Sequence, residues 1–320
     1  MDGKFNLEAA TNYFHAFGFI KIPGFFSSEE MDSLGRNFDR VMVSRFGELS
    51  PERNYLLPQF IDLDENLASV LTLQKLNLVI AALMGEGFIY KGSDGNIFRR
   101  ATGWHRDYLI RNKSCKVLIY FQKADARSGA LRVIPGTQFV TDQFSSLIGK
   151  ALRWPEPPHS GGFDEYDFFG AGHDPTVPGA NRTIPQCVVS TNPGDIIVFN
   201  HNLIHCTNAS DSVSTRRLLG LHFCRNPLTH PVVSLREELL KELQDLALIE
   251  MGSFKLPRMF GPKVLDHPSN TVQSMIAPIK DLSLEIGEKF DGLYSSQSLD
   301  SIRFCNRLKR LDLDDTKWVN

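Results

Sequence analysis

The chain has 320 residues, 42% of them hydrophobic, which is enough to bury a core without disulfide bonds or structural metals. Its 35 Lys and Arg residues nearly balance its 37 Asp and Glu residues, so the net charge of −2 provides no broad basic field for nucleic acid. No apolar run approaches the roughly 20 residues that cross a bilayer. The composition therefore predicts a globular protein without a nucleic-acid or membrane partner.

The N-terminus resembles neither a secretory signal nor a transit peptide, and the five cysteines include no CxxC pair. These features favour a cytoplasmic protein with reduced cysteines. No linker, repeat or low-complexity tract marks a domain boundary. We therefore expect one domain over residues 1–320, and the sequence leaves the oligomeric state open.

Helical patterns predominate in residues 1–86. Gly18 separates a first helix from a short β-rich run, and Ser27 is typical of an N-cap that is followed by first-turn acids. The predicted elements are helix Leu7–Phe17, strand Phe19–Ile22, a helix from Ser27 to about Arg45, and helix Leu71–Leu83.

Residues 87–226 consist of short runs rich in Val, Ile, Phe and Tyr, separated by turn-forming residues. The predicted strands are Phe88–Tyr90, Ile97–Arg99, Val117–Phe121, Ala130–Ile134, Cys187–Ser190, Asp195–Asn200 and Arg217–Phe223. Such spacing favours an antiparallel barrel or sandwich.

Two further segments flank or interrupt this β region. Residues 149–182 are rich in Pro, Gly, His and Asp, and they are too long and irregular for a routine connection, so we expect a lid. Residues 227–320 return to helical spacing, most clearly over Leu235–Ile249 and Ser274–Phe290. We expect these helices to support one face of the β core.

The clearest candidate for chemistry is the pair His105 and Asp107. In an extended strand, residues i and i+2 project from one face, so this pair can offer an imidazole nitrogen and a carboxylate oxygen to one point. About a hundred residues later, a buried-looking strand leads into a polar segment that contains His201 and His205. Two imidazoles and one carboxylate are typical of non-haem Fe(II) with three positions left open. Periodicity does not separate His201 from His205, because residues four apart on a strand share a face.

A candidate anchor for a dicarboxylate follows on the next predicted strand. Arg216 lies eleven residues after His205, and its guanidinium can form a bidentate contact with a carboxylate. Arg217 must face the opposite side, because neighbouring side chains on a strand alternate. We expect Arg217 to face solvent or the flanking helices.

Together these motifs resemble the phytanoyl-CoA dioxygenase family of iron- and 2-oxoglutarate-dependent oxygenases, over residues 10 to 225. The resemblance rests on His105-x-Asp107, the Gly-Ala-Leu-x-Val-Ile-Pro-Gly-Thr run at 129–137, Gly194-Asp195, the spacing from His205 to Arg216, and the N-terminal run Phe14–Phe26. One departure is Gln138, where the family often has a histidine. Because that residue is not a ligand, the departure does not argue against activity.

The resemblance implies a mainly β fold with flanking helices around a double-stranded β-helix, a jelly-roll, cupin-like core. It implies Fe(II) bound by His105, Asp107 and His205. It further implies 2-oxoglutarate held by Arg216 with help from Thr207, and O2 as the other co-substrate. His201 would then be a neighbour of the metal site.

The implied reaction oxidises a C–H bond of a small metabolite, by hydroxylation, desaturation or oxidative cyclisation, with release of succinate and CO2. Arg99, Arg100 and Arg106 lie close to the metal pair and favour an anionic substrate, with Arg106 the candidate contact.

Two other functions use the same residues. A zinc hydrolase would employ the same ligands and an activated water, but it gives Arg216 no role. A non-catalytic, cupin-like binding protein would keep the barrel and is expected to have a broken triad, whereas this triad is intact.

Overall fold

The computed structural model describes residues 6–50, 53–98, 102–107, 113–145, 148, 186–207, 215–226, 260 and 262–280. The predicted lid at 149–182, the predicted helix Leu235–Ile249 and the predicted helical residues beyond 280 lie outside this part of the chain.

The described strands and helices largely follow the predicted order. The strands are β1 Phe19–Ile22, β2 Tyr55–Pro58, β3 Ile89–Phe98, β4 Thr102–His105, β5 Ser114–Tyr120, β6 Leu131–Val133, β7 Cys187–Val189, β8 Ile196–Asn200, β9 His205–Thr207 and β10 Arg216–Cys224. The helices are α1 Leu7–Phe17, α2 Ser28–Phe46, α3 Glu65–Ala68, α4 Gln74–Met84, α5 Pro262–Leu265 and α6 Asn270–Ile276. Short 3-10 turns cover Phe60–Leu63, Ser69–Thr72 and Ala277–Ile279.

These strands form two antiparallel sheets. The larger has the order β1-β8-β5-β10-β3-β2, and the smaller has the order β4-β9-β6-β7. Leu118, Leu218 and Phe199 of the large sheet pack with Leu131 and Val133 of the small sheet in one buried cluster. The predicted fold class, mainly antiparallel β with flanking helices, is confirmed.

The other face of the large sheet packs against the helices. Ile119, Leu219 and Phe223 alternate with the inward-facing residues and join a cluster with Phe38 of α2 and Ile80 of α4. Strand alternation thus gives the large sheet an outer face buried by helices and an inner face buried by the small sheet.

The helix termini agree with the sequence signals. Ser27 accepts a hydrogen bond from the backbone N–H of Glu30, whose side chain in turn accepts from the backbone N–H of Ser27, which completes a capping box. Gly18 ends α1 in the left-handed conformation, with φ of 84°, and donates to the carbonyl of Phe14.

The prediction of two separate strands at Phe88–Tyr90 and Ile97–Arg99 is wrong, because β3 runs continuously through the turn-forming residues between them. Two of these residues have a specific use within the strand. Ser93 Oγ accepts from the N–H of Ile61. A Cβ at Gly95 would lie 2.2 Å from the ring of Phe60, so the glycine admits that ring.

Residues 1–86 were predicted to be helical apart from one strand, but they supply both edges of the large sheet, β1 and β2. Among the described helices, none by itself has the length and apolar character of a membrane span. The bent pair Glu65–Thr72 and Gln74–Met84 meets that test on length and composition alone.

Candidate metal centre

His105 and His205 are direct neighbours in the small sheet, where β4 pairs with β9 in the register His105 to His205. Their ring centroids are 4.2 Å apart. Asp107 Oδ1 lies 3.6 Å from His105 Nε2 and 3.4 Å from His205 Nε2. One nitrogen or oxygen atom from each of the three residues lies within 4.8 Å of the other two, so the structure brings the predicted triad together.

The alternation of side chains along a strand does not by itself explain the position of Asp107. Strand β4 ends at His105, and Asp107 lies just beyond it. The backbone N–H of Asp107 donates to the carbonyl of His201 over 3.0 Å, which fixes the chain after the strand end.

The orientation of His205 suits a metal ligand. Its Nδ1 donates to the carbonyl of Leu203 over 2.9 Å, so Nε2 carries the lone pair on the side of Asp107. Burial, then the neighbouring His105, lower the pKa of His205, which favours the neutral imidazole that metals bind.

His201, the alternative to His205, has a different place. It is fully buried, with Nδ1 2.8 Å from Ser114 Oγ and Nε2 2.9 Å from His222 Nδ1. Burial, then the neighbouring His222, hold the pKa of His201 well below its usual value. The structure therefore separates the two histidines, with His205 in the triad and His201 in a hydrogen-bonded chain beside it.

The surroundings of Asp107 favour its charged carboxylate. Burial acts to raise the pKa of Asp107, but Lys116 and then His205 outweigh that penalty and hold the pKa well below its usual value. Lys116 Nζ lies 4.0 Å from Asp107 Oδ2 and 2.7 Å from Asp94 Oδ1.

Sequence reasoning missed Lys116 and Asp94. Lys116 could have been noticed, because it is a lysine within the apolar strand Ser-Cys-Lys-Val-Leu-Ile-Tyr. A lysine at an inward-facing position of such a strand needs a buried partner of opposite charge. Asp94, in contrast, lies among residues that suggest a turn.

The donor set fits a divalent transition metal. Asp107 Oδ2 is buried and has no hydrogen-bond partner among the described residues, which is costly for a carboxylate unless a cation compensates it. Two imidazoles and one carboxylate on one side of an ion match the ligand preference of non-haem Fe(II).

Arg216 occupies the start of β10 on the inner face and is only 2% exposed. Its Nη1 donates to the carbonyl of Gly129 over 2.9 Å. A Cβ at residue 129 would lie 2.5 Å from that nitrogen, so the glycine makes room for the guanidinium. Arg217 faces outward as predicted, with Nη1 2.5 Å from Asp39 Oδ2 of α2.

Thr207 lies on β9 two residues after His205. Its Oγ1 is 2.8 Å from Thr102 Oγ1, and it also accepts from the N–H of Thr102 over 3.3 Å. These contacts join β9 to β4 at the end of the sheet that follows the triad.

Arg106, the predicted substrate contact, binds protein oxygens. Its guanidinium donates to the carbonyls of Thr137 and Asn202 and, over 2.7 Å, to Ser145 Oγ. This arrangement joins three separate segments of the chain, and the substrate contact of Arg106 stays a prediction. Arg99 and Arg100 lie outside the described residues.

The remaining sequence predictions concern packing. Trp104 points away from the triad into a small apolar cluster with Ile134 and Ile204, as expected. Gln138, at the departure from the family pattern, donates to the carbonyls of His15 and Ala16 at the end of α1, over 3.2 Å each. Gln138 thus holds the C-terminal end of helix α1 in place.

Comparisons with known proteins agree with this geometry. The sequence model of the family Phytanoyl-CoA dioxygenase (PhyH) matches residues 14–218. No curated protein matches the sequence.

Solved structures share the fold at low identity. EvdMO1 is 20% identical with a TM-score of 0.50, and the match covers 69% of this chain and 50% of EvdMO1. The epimerase SnoN, in complex with Fe3+, alpha ketoglutarate and nogalamycin RO, is 13% identical with a TM-score of 0.52, covering 68% of this chain and 83% of SnoN. HygX from Streptomyces hygroscopicus, with nickel and 2-oxoglutarate bound, is 17% identical with a TM-score of 0.51, and the match covers 68% of this chain and 86% of HygX. The chain thus spans about half the length of EvdMO1 and most of the other two.

Proposed function

The chain belongs to the phytanoyl-CoA dioxygenase family of iron- and 2-oxoglutarate-dependent oxygenases, and from this premise we propose that it hydroxylates a C–H bond of a small organic molecule. The observation that carries the proposal is the convergence of His105, Asp107 and His205 around a buried carboxylate oxygen that has no described hydrogen-bond partner.

We assign His105, Asp107 and His205 as the iron ligands. Bound iron and 2-oxoglutarate supply the oxidising power, because O2 and 2-oxoglutarate are converted to CO2 and succinate while one oxygen atom passes to the substrate. The protein contributes a fixed set of ligands. The Leu203 carbonyl orients His205, and the His201 carbonyl positions the backbone of Asp107.

We assign Arg216 as the group that binds the far carboxylate of 2-oxoglutarate. Its positive charge is buried on the inner face of β10, where a charge-assisted contact is stronger than in water. Thr207 is the proposed second contact, because it follows His205 on β9 and carries a hydroxyl near the same end of the small sheet.

For the substrate we propose only a class, that of small molecules. The prediction of an anionic metabolite depended on Arg99, Arg100 and Arg106, and the guanidinium of Arg106 is occupied by protein oxygens. The cytoplasmic location stays a prediction from the N-terminal sequence.

The test is a screen of candidate small molecules for stimulated succinate release, with Fe(II) and 2-oxoglutarate each present or omitted. Hydroxylation adds one oxygen atom to the product mass, whereas desaturation or cyclisation removes two hydrogen atoms. A zinc-loaded protein that hydrolyses a substrate without 2-oxoglutarate, and an iron-loaded protein that forms no succinate, would contradict the proposal.

A further inference from the structure

A buried ion pair lies beside the triad on the inner face of the large sheet. Lys116 on β5 and Asp94 on β3 are separated by strand β10, yet Lys116 Nζ lies 2.7 Å from Asp94 Oδ1. Strands in a sheet are about 4.8 Å apart, so these residues start from backbones roughly twice that distance from each other. Their side chains must therefore meet above the backbone of β10.

Gly220 is the residue of β10 over which they meet. It is opposite Asp94 on one side and opposite Leu118 on the other. A Cβ at this position would lie 2.5 Å from Lys116 Cε and 2.7 and 2.8 Å from the Asp94 carboxylate oxygens. The glycine is needed here for space, because any side chain would separate the two charges.

Asp94 is itself held by a chain of hydrogen bonds. His222 Nε2 donates to Asp94 Oδ1 over 2.7 Å, and His222 Nδ1 lies 2.9 Å from His201 Nε2. His201 Nδ1 lies 2.8 Å from Ser114 Oγ, and the planes of the two imidazole rings are nearly parallel, with an angle of 3° between them. The anion that holds Lys116 is therefore fixed in position.

The two oxygens of Asp107 have different surroundings. Oδ1 faces the imidazoles of His105 and His205, at 3.6 and 3.4 Å. Oδ2 lies 4.0 Å from Lys116 Nζ, a distance at which the opposite charges attract without a hydrogen bond. A carboxylate can bind a metal through one oxygen or through both, and a cation beside Oδ2 favours the first.

We propose that Lys116, held by Asp94 across Gly220, is a positioning residue that keeps Asp107 bound to the metal through one oxygen only. This inference rests on the ligand set of the proposed function. On a six-coordinate ion, three single-atom ligands would leave three positions open, enough for 2-oxoglutarate and O2. Binding through both oxygens of Asp107 would take one of these positions and weaken the binding of 2-oxoglutarate.

The direct test is Lys116→Met, which keeps a long side chain and removes the charge. We measure Co(II) binding to the protein, then 2-oxoglutarate binding to the Co(II)-loaded protein, and record the visible absorption of Co(II), which responds to coordination number. The Kd for 2-oxoglutarate is expected to rise about tenfold, the lower end of the effect of groups that orient ligands. Co(II) affinity is expected not to fall, since a positive charge near the ion has been removed, and the absorption spectrum of the Co(II) form is expected to change.

Lys116→Met leaves the buried carboxylate of Asp94 without the lysine charge and could prevent folding, so two further variants keep the test decisive. The double variant Lys116→Met/Asp94→Asn removes both charges together and is expected to reproduce the rise in the Kd. Gly220→Ala retains every charge but separates Lys116 from Asp94, and the same change in spectrum and a several-fold rise in the Kd are expected.

The matched control is Arg217→Met, which removes an ion pair from the outer face of the same strand β10. Its Co(II) spectrum and its Kd for 2-oxoglutarate should equal those of the wild type. A wild-type protein that binds neither Co(II) nor 2-oxoglutarate would overturn the proposed function. A wild type that binds both, with folded variants that keep the spectrum and a Kd within twofold, would overturn only the role of Lys116.

Discussion

The two faces of the large sheet use the same strands for different purposes. On the outer face of β10, Leu219, Leu221 and Phe223 are buried against helices in the apolar core. On the inner face, β10 presents Arg216, Leu218, Gly220 and His222, and Lys116 of the neighbouring strand β5 lies 4.0 Å from the carboxylate of Asp107. Both faces thus contribute to the apolar core, but only the inner face also carries the candidate chemistry, so outer-face substitutions should affect stability without affecting metal or co-substrate binding.

Asp107→Ala on the inner side should have the largest effect. It removes a proposed metal ligand, and we expect succinate formation to fall by roughly 10⁴-fold, the scale of losing one member of a catalytic unit. Some stability should be lost as well, because the folded protein loses the negative charge that Lys116 and the imidazoles of His105 and His205 stabilise. Substrate-dependent succinate release and urea unfolding measure the two quantities.

Asp39→Ala is the control for that variant, since Asp39 pairs with Arg217 on the outer side of the sheet. Equal losses of succinate formation in Asp107→Ala and Asp39→Ala would contradict the separation of the two faces.

Phe223→Ala tests the opposite side of β10. Phe223 is fully buried and contacts Phe88 and Tyr90, each with ring centroids 5.7 Å away. Removing the ring should lower the free energy of unfolding by about 3 to 5 kcal/mol, while the Kd for Co(II) of the folded protein stays unchanged. Phe139→Ala, at a half-exposed ring, should cost less than about 0.5 kcal/mol.

Arg216→Met tests the proposed anchor for 2-oxoglutarate. A hydrogen bond to a charged group contributes about 1.5 to 3 kcal/mol, so the Kd for 2-oxoglutarate should rise roughly 10- to 150-fold. Titration of 2-oxoglutarate into the Co(II)-loaded protein measures this change. An unchanged Kd would show that Arg216 does not bind 2-oxoglutarate.

Arg217→Met should have the smallest effect. The Arg217 and Asp39 side chains are 34% and 47% exposed, and an exposed ion pair contributes less than about 1 kcal/mol to stability. The difference in unfolding free energy between Arg217→Met and the wild type should be smaller still in high salt, where exposed charges are screened. A loss that persists in high salt would show that the packing of Arg217 over Phe121 matters more than its charge.

Local signals were enough to predict much of the fold. The capping box at Ser27 and Glu30 depends on residues three apart, and the strand periodicity of β5, β8 and β10 lies within single segments. The pairing of His105 with Asp107 is similarly local. These features could be read from the sequence because each is decided by neighbouring residues.

Contacts between distant segments could not be predicted in this way. The choice between His201 and His205 depends on Ser114 and His222, which hold His201 away from the triad. The polar stretch within β3 looks like a turn until Asp94 is seen to have partners on two other strands.

Strand β2 was missed because its Pro58 and four-residue length resemble a loop. A proline is tolerated there, since β2 lies at the edge of the described sheet and, among the strands that the structure describes, pairs with β3 alone.

The positions of β1 and β2 at the two edges of the large sheet have a consequence for folding. Strand β1, at residues 19–22, forms its sheet hydrogen bonds with β8, at residues 196–200, so these bonds cannot form until the two distant segments meet. Contacts between residues so far apart in sequence slow folding, because a long loop must close before any interaction repays its entropy. During synthesis on the ribosome, the N-terminal segments therefore emerge long before their partners, and the sheet closes only after most of the β region has been made.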